Sequence, residues 1–530
     1  MTKLLPLALA LALTGCSFAP EYKRPAAPVP SAWPAEKVMR SGSQPDGAGG
    51  TAKTFSDDWK SFFTDPQLQD FIAAALEHNR DLRIALARVD EARALAGIAG
   101  ADRLPMLDMN VQRQAALTPG DLSGTGRAVS SQRYDANFGI AAFELDFWGR
   151  VKNLDDAARA NFLASDYAQR AFRLTLIGDV AAAWYSLREL DARAALADAT
   201  AQSREQSRTL VGKRRDVGLA GDLDFLAADG AWATARAEAA NLARQKAAAA
   251  NALRLLVGSD VTLASQAANP TGAVPPGDAG ARSRGPACGD ATVEADAATA
   301  TSKPASRIPL ADASPPPCGA PSAASGRPTF SAPPEIAVDL PSEVLLRRPD
   351  VLAAEQKLIA ANANIGAARA AFLPRISLTA VAGSASRALS GLFDSGSGAW
   401  SFVPLLKLPL FDAGRSAGNV DLAQARKNIA VAEYEKTIQQ AFREVADLLA
   451  ARERYAEQLK ALEAAAAAQD ERLQRVEARH LAGVSSYLEL LDAQRERFAA
   501  QQSVLATQRG WLATAASLYK ALGGTGPAAN

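Results

Sequence analysis

One long pattern occurs twice in this chain, and the two copies keep nearly the same internal spacing. Three segments that contain glycine recur about 265 residues later. The pairs are Phe147-Trp148-Gly149-Arg150 with Asp412-Ala413-Gly414-Arg415, Val217-Gly218-Leu219 with Ala482-Gly483-Val484, and Leu256-Val257-Gly258 with Ala521-Leu522-Gly523. A duplicated unit of this length predicts a fold with internal pseudo-symmetry, so the contents of one unit largely decide the architecture.

Each copy contains two very long segments without proline. They cover residues 151–215 and 222–257 in the first copy, and residues 416–480 and 485–522 in the second. Both pairs are rich in Ala, Leu, Arg, Glu and Gln, which favour helices. A helix of about 65 residues would be about 100 Å long. No compact globular domain needs that length, so the helices should lie side by side as a coiled-coil-like wall or stalk.

A shorter helix and a β-hairpin precede the long helices in each copy. The helices are predicted at about 65–101 and 349–371, and each ends at a Leu-Pro pair. Period-two alternation then predicts four strands, separated by polar loops at 116–132 and 385–398. The apolar positions are Leu107, Met109 and Val111; Tyr134, Ala136, Phe138, Ile140 and Ala142; Ile376, Leu378, Ala380 and Ala382; and Trp400, Phe402, Leu406 and Leu408.

Strands of about ten residues are long enough to cross a bilayer when tilted. A soluble hairpin with one wet face would show the same alternation, so the strands alone leave both readings open. Four strands cannot close a barrel, for which about eight is the practical minimum. Since open edges cannot be left in lipid, several chains would have to combine their strands. Three chains would supply twelve strands and twelve long helices, which together predict a tube.

The first residues are typical of an export signal rather than of a folded segment. Lys3 precedes a short apolar stretch, and Leu13-Thr14-Gly15-Cys16 resembles a bacterial lipobox. We therefore expect residues 1–15 to be removed and Cys16 to carry a covalent lipid. Ser17 follows in place of the aspartate that retains lipoproteins at the inner membrane, which favours the outer membrane. The alternative is an ordinary signal peptide with an incidental cysteine.

The composition excludes several classes of function. The 58 basic and 57 acidic residues nearly balance, which gives no reason to expect a nucleic-acid partner. The two histidines, His78 and His480, lie far apart in the sequence and offer little for metal binding or acid–base chemistry. We predict no catalytic residue, no metal site and no cofactor apart from the lipid on Cys16, and hence no enzyme.

The predicted segments are a signal peptide (1–15), a lipidated N-terminal wrap (16–64), repeat 1 (65–258), a linker (259–335), repeat 2 (336–523) and a tail (524–530). The linker is rich in Ala, Pro, Gly, Ser and Thr, so it should not form a core of its own. It contains Cys288 and Cys318. These two either form a disulfide in an oxidising compartment or remain free thiols.

Taken together, these features resemble the TolC-like outer-membrane efflux channels, in the lipoprotein branch that serves RND-type pumps. The resemblance covers nearly the whole mature chain. It is carried by the start from Cys16 to Pro25, the segment from Trp59 to Asp81, Leu340-Pro341-Ser342, Leu345-Leu346-Arg347-Arg348-Pro349-Asp350, Leu373-Pro374, and Tyr487-Leu488-Glu489-Leu490-Leu491-Asp492-Ala493-Gln494.

This resemblance implies a mainly α fold with transmembrane β-strands. The family forms homotrimers in which each chain gives four strands to a twelve-stranded outer-membrane barrel, and the helices form a long periplasmic tunnel. The terminal segments and the linker build a girdle around that tunnel. The far end closes like an iris and docks on a periplasmic adaptor, the membrane fusion protein, which couples it to an inner-membrane RND-type pump.

The resemblance also implies roles for the helical turns. Val217, Gly218 and Leu219, with Ala482, Gly483 and Val484, match the motif that meets the adaptor, although any helical hairpin needs a glycine turn. Glu489 and Asp492, with Asp222 and Asp224 at the other turn, match acidic positions that ring the closed mouth. The alternative is an ordinary solvated helix face, or first-turn carboxylates favoured by the helix dipole.

The resulting prediction is a passive exit duct for drugs or other small toxic compounds. Ser485 and Ser486 stand where some relatives carry a basic gating residue, so we do not expect the same salt-bridge latch. A type I protein-secretion channel and a metal-efflux channel remain alternatives. The chain has only four methionines, and this small number argues against a copper route lined by thioethers. A third alternative, a structural coiled-coil lipoprotein, does not explain the four strands.

Overall fold

The computed structural model describes residues 18–30, 33, 59–124, 126–258 and 342–524. These residues belong to one of the two units into which the chain divides, and the second unit, residues 262–330, lies outside them. The described helices are α1 Trp59–Phe62, α2 Pro66–His78, α3 Arg80–Ala101, α4 Arg150–Asp216, α5 Asp222–Val257, α6 Pro349–Ala370, α7 Arg415–Leu481 and α8 Tyr487–Ala521. The strands are β1 Leu107–Thr118, β2 Val129–Glu144, β3 Arg375–Ser386 and β4 Gly398–Lys407, with 3-10 turns at Ser342–Arg347 and Leu389–Gly391.

The four long helices begin and end within about two residues of the predicted positions. α4 and α7 each have 67 residues, so each is about 100 Å long. α4 and α5 form hairpin 1, and α7 and α8 form hairpin 2. Alanines allow close packing: Ala157 and Ala160 of α4 contact Ala360 and Ala363 of α6, which links the two copies. None of the described helices combines the length and apolar character needed to cross a membrane.

The prediction of one helix over 65–101 is wrong, because the chain breaks at Asn79. Asn79 leaves the helical conformation, and its side-chain oxygen accepts a hydrogen bond from the Leu82 amide at 2.8 Å. Its side-chain amide donates to the Leu256 carbonyl at 2.8 Å, at the end of α5. An asparagine that caps a new helix competes with the continuing helix, and this tertiary contact decides the competition. The corresponding helix of copy two, α6, is continuous.

The strands form one antiparallel sheet in the order β1-β2-β3-β4, so the β-hairpin of copy one lies beside the β-hairpin of copy two. They extend further than predicted, which leaves shorter loops at 119–128 and 387–397. The register shifts between Ile140 and Phe143, and Ala142 has a φ of 50°. Because this bulge turns the strand, the prediction that Ala142 shares a face with Ile140 is wrong.

An N-terminal strap, residues 18–30, runs along α6. Arg24 donates to both carboxylate oxygens of Glu355 at 2.6 Å, and the Tyr22 hydroxyl donates to the same group at 3.0 Å. The Asn362 amide donates to the Pro20 carbonyl at 2.6 Å, and Arg369 contacts the Phe18 carbonyl. The strap therefore reaches the end of α6 that leads into β3.

The Arg-Arg-Pro-Asp segment joins three helices. Arg348 is buried and donates to Asp350, to Glu444 of α7 and to the Ala521 carbonyl at the end of α8. Arg347, its neighbour, is exposed. This contact explains why the segment is a recognisable signature: Arg348 fixes the start of repeat 2 against both helices of hairpin 2.

Candidate functional site at the helical turns

The two turns that end the hairpins have the same backbone geometry. Gly218 and Gly483 have φ angles of 75° and 74°, which glycine adopts without strain. The Leu219 amide donates to the Arg214 carbonyl at 2.7 Å, and the Val484 amide donates to the Arg479 carbonyl at 2.9 Å. Apart from the adjacent residues, no atom of the described chain lies within 4 Å of a Cβ atom built at either glycine, so both turns are open to a partner.

The turns present apolar side chains to solvent. The predicted tip residues Val217, Leu219 and Val484 are exposed, with Leu219 at 78%. Sequence reasoning missed four flanking leucines, Leu223, Leu226, Leu481 and Leu488, which are also exposed. Leu223 and Leu488 lie in the first turn of the helix that follows each glycine, and this shared placement was the available signal. Together these residues form an apolar tip on each hairpin, which is typical of an interaction site.

The acidic residues of copy two are paired within their own chain. Asp492 accepts hydrogen bonds from Arg472 at 2.9 Å and from Arg495 at 2.8 Å. Glu489 accepts one from Arg479 at 3.4 Å. Arg472 and Arg479 lie two helical turns apart on α7 and therefore face α8 together. This spacing is visible in the sequence. Exposed pairs of this kind contribute about 0–1 kcal/mol each.

Other contacts at the second turn are local. The Ser486 side chain accepts a hydrogen bond from the Glu489 amide at 3.2 Å, so Ser486 caps α8. His480 Nδ1 lies 3.1 Å from the Ser485 carbonyl oxygen, which ties the ring to the turn. Asp222 and Asp224 are exposed in the first turn of α5, where the helix dipole favours carboxylates.

Aromatic contacts, rather than ion pairs alone, hold the first turn. The Arg215 guanidinium lies 4.1 Å from the centre of the Phe225 ring. Arg208 lies 4.8 Å from the Trp232 ring and also donates to Asp229. Cation–π contacts depend less on ionic strength than exposed ion pairs do. Both hairpins contain Arg–Asp ion pairs, and hairpin 1 adds cation–π contacts close to its turn.

The remaining predicted positions lie outside the described residues. These are Cys16, with the signal peptide, and Cys288 and Cys318 of the linker. Within the described residues, no group of three or more His, Cys, Asp or Glu side chains is placed to hold a metal ion.

A four-stranded sheet continued by two long helical hairpins that end in apolar turns defines an outer-membrane channel subunit. The chain belongs to the outer membrane efflux protein family, whose model matches residues 71–259 and 340–524, one match for each copy of the repeat. This result confirms the predicted family, fold class and outer-membrane location. The family consists of transporters rather than enzymes.

Named relatives are similar over nearly their whole length. Outer membrane protein OprJ of Pseudomonas aeruginosa PAO1 is 41% identical over 520 residues, 98% of this chain and 95% of OprJ. The probable efflux pump outer membrane protein SepC of Pseudomonas putida F1 is 39% identical over 526 residues, 99% of this chain and 97% of SepC. The cation efflux system protein CusC of Escherichia coli K12 is 36% identical over 525 residues, 98% of this chain and 99% of CusC. A crystal structure of CusC matches with a TM-score of 0.72 at 34% identity, covering 96% of this chain and 100% of that one.

Proposed function

We propose that this protein is the exit duct of a three-part efflux system that carries drugs or other small toxic compounds across the outer membrane. The observation that carries the proposal is the pair of exposed apolar turns on helices about 100 Å long, which start from a four-stranded sheet. A wall of this length with an interaction site at its far end suits a conduit that meets a second protein across the periplasm.

The duct is a homotrimer. Within the described residues β1 and β4 each pair on one side only, and lipid requires that their other edges also find partners. Three chains give a twelve-stranded barrel, which four strands alone cannot close. Apolar side chains on α3 and α7 are exposed and suit surfaces that neighbouring chains cover; they include Ile84, Leu95, Ile98, Leu422 and Ile429.

At the far end, a periplasmic adaptor packs on the tips, and an RND-type pump in the inner membrane selects the substrate and drives transport. Glu489, Asp492, Asp222 and Asp224 lie beside these turns, where a trimer repeats each carboxylate three times around the mouth. The arginines that pair with Glu489 and Asp492 offset part of that charge. The mouth therefore discriminates between permeants less sharply than an unpaired acidic ring does.

A lipid on Cys16 fits the position of the strap. Phe18 is held at the end of α6, and Arg375, the first residue of β3, follows shortly after that end. The position of Phe18 near the beginning of β3 supports a lipid attached to Cys16, two residues earlier in the sequence. An acyl anchor and the strands then enter the same membrane.

The test uses cells that lack their own outer-membrane channel and carry a matched pump and adaptor. The readout is export of a fluorescent dye, with copper tolerance measured alongside because CusC belongs to a cation efflux system. Wild type should restore dye export. A Gly218→Asp/Gly483→Asp variant should lose it while remaining trimeric in the outer membrane, since aspartate tolerates the left-handed conformation but adds charge to the tip.

Gly124→Asp is the matched control, because Gly124 is an open glycine in the loop between β1 and β2. It adds the same charge far from the tips and should leave export unchanged. Copper tolerance without dye export would assign the duct to cation efflux. Correct trimers that restore neither with several pumps would refute the efflux proposal and favour protein secretion.

A further inference from the structure

A cavity of about 810 Å³ lies between hairpin 1 and the beginning of α8. Its walls come from residues 197–204 of α4, residues 230–238 of α5, and residues 486–498, which are the N-cap and first turns of α8. Much of the lining is apolar, including Ala197, Ala231, Ala235, Leu491 and Phe498. This size and this kind of wall are those of a small-molecule site with a few polar groups that fix orientation.

Arg204 lines this cavity and has an unmet need for a hydrogen-bond acceptor. Its side chain belongs to the buried set at 7% exposure, and no acceptor among the described residues reaches its Nη1 atom. Burial lowers the pKa of Arg204, yet a guanidinium stays charged at neutral pH. A buried cation without a partner is costly, so an acceptor from outside the described residues would stabilise it.

Tyr487 lies between the lining residues Ser486 and Leu488 but does not itself line the cavity. Its hydroxyl is buried and has no partner among the described residues. Burial raises the pKa of Tyr487, and the positive charge of Arg204 acts in the opposite direction. The Tyr487 ring packs against Leu490 and Ala493 of hairpin 2, so the inference about the cavity depends on Arg204.

The carboxylates that line the cavity already have donors and therefore do not require a cation. Glu489 and Asp492 accept hydrogen bonds from arginines of hairpin 2, and Glu238 accepts one from the Asn241 amide. The unsatisfied group of the lining is the guanidinium of Arg204, which is a donor, and the missing partner is therefore an anion rather than a cation.

The repeat shows that the helical hairpin itself does not require this arginine. At the same spacing of about 265 residues, the second copy has Gln469, which carries no charge. The two positions occupy corresponding places in α4 and α7, helices of equal length. Arg204 is thus a feature of copy one, at the place where α8 closes the cavity.

We propose that this cavity binds an amphiphilic monoanion, such as a medium-chain carboxylate. The carboxylate accepts hydrogen bonds from Arg204, and the apolar chain lies against Ala231, Leu491 and Phe498. A bound molecule touches both hairpins and so links them just above the turns. The binding itself does not depend on the efflux role, and it can be measured without a pump or adaptor.

The test uses the purified full-length protein in non-ionic detergent and a dodecanoic acid that carries a photoreactive diazirine. After irradiation, peptides from the lining of α4, α5 and α8 should carry the label. The corresponding dodecanol probe should label them about tenfold less, because it lacks the charge-assisted hydrogen bond. Arg204→Gln should lower labelling by the acid about tenfold or more, and Arg204→Lys should lower it less.

Arg475→Gln is the matched control. Arg475 is an exposed arginine of α7 that bonds to Glu471, and its loss should leave labelling unchanged. Ala235→Phe fills the cavity without removing the charge and should also abolish labelling. Equal labelling by acid and alcohol, or equal labelling of wild type and Arg204→Gln, would overturn the proposal. It would also fall if the acid labels nothing and Arg204→Gln lowers the thermal stability of the oligomer, since a neighbouring subunit would then be the partner of Arg204.

Discussion

Arg348→Met should loosen the end of α8 while leaving the helical turns unchanged. Arg348 Nη1 donates to the Ala521 carbonyl at 2.7 Å, and the guanidinium makes two bonds with Asp350 at 3.0 and 2.8 Å. A further bond at 3.0 Å reaches Glu444. Methionine keeps the apolar stem, so the substitution removes these four bonds with little change in packing volume.

The expected decrease in the free energy of local unfolding depends on how exposed each partner of Arg348 is. Removing one member of a buried ion pair costs about 3–5 kcal/mol. Asp350 and Glu444 are 38% and 34% exposed, so water replaces part of what they lose. The Ala521 carbonyl loses a charged donor in a buried position, which costs about 1.5–3 kcal/mol. We expect the free energy of local unfolding to fall by about 2–3 kcal/mol, which raises the equilibrium constant for local opening about 30- to 150-fold.

Hydrogen exchange measured by mass spectrometry provides the assay. In the purified protein, peptides from the last turns of α8 should exchange about 30- to 150-fold faster in Arg348→Met. Peptides that contain Gly218 or Gly483 should not change. In Arg348→Lys the peptides from the last turns of α8 should exchange at a rate between those of the wild type and Arg348→Met, since lysine keeps the charge but lacks the planar guanidinium.

Arg347→Met is the matched control, because the neighbouring arginine is exposed. It should exchange like the wild type at every peptide. If Arg348→Met and Arg347→Met behave alike, the proposed link between α6 and hairpin 2 is wrong. A uniform increase over all helices would also refute the reasoning, because it would show global rather than local destabilisation.

The strap and the sheet give three further predictions. Arg24→Ala should speed proteolysis of the strap about 5- to 30-fold, from a loss of about 1–2 kcal/mol at a half-exposed ion pair. Burial and the bond to Glu355 raise the pKa of Tyr22 above its ordinary value of 10.0. The contribution of Tyr22 is thus complete below pH 10 and is lost as the pH rises further, so strap proteolysis should accelerate above about pH 10. Gly383→Val should abolish folded trimers on native gels, because any side chain there collides with the β2 backbone.

Each of these predictions has its own control. Lys23→Ala changes a neighbouring exposed charge of the strap and should leave proteolysis as in the wild type. In Tyr22→Phe the acceleration above pH 10 should disappear; if it persists, another group is responsible. Gly398 lies in β4 with open space around it, so Gly398→Val should still form trimers. Normal trimers of Gly383→Val would contradict the close approach of β2 and β3.

The sequence by itself determined the elements that depend on neighbouring residues. Helix-forming composition without proline set the four long helices to within about two residues, and the spacing of the repeat located both glycine turns. Alternation located all four strands. It missed the bulge after Ile140, because a bulge depends on how β2 meets β3 rather than on the residues of one strand.

Only the tertiary structure decided which distant side chains meet. Asn79 ends a helix because its amide reaches the Leu256 carbonyl, 177 positions away. Asp492 was predicted as an acidic ring residue, and the fold adds the arginines that pair with it. Arg204 is unremarkable in the sequence and becomes a candidate ligand contact only because α8 closes over it. Local propensity and periodicity are properties of consecutive residues, whereas pairing and burial depend on how long helices align, and no single segment contains that information.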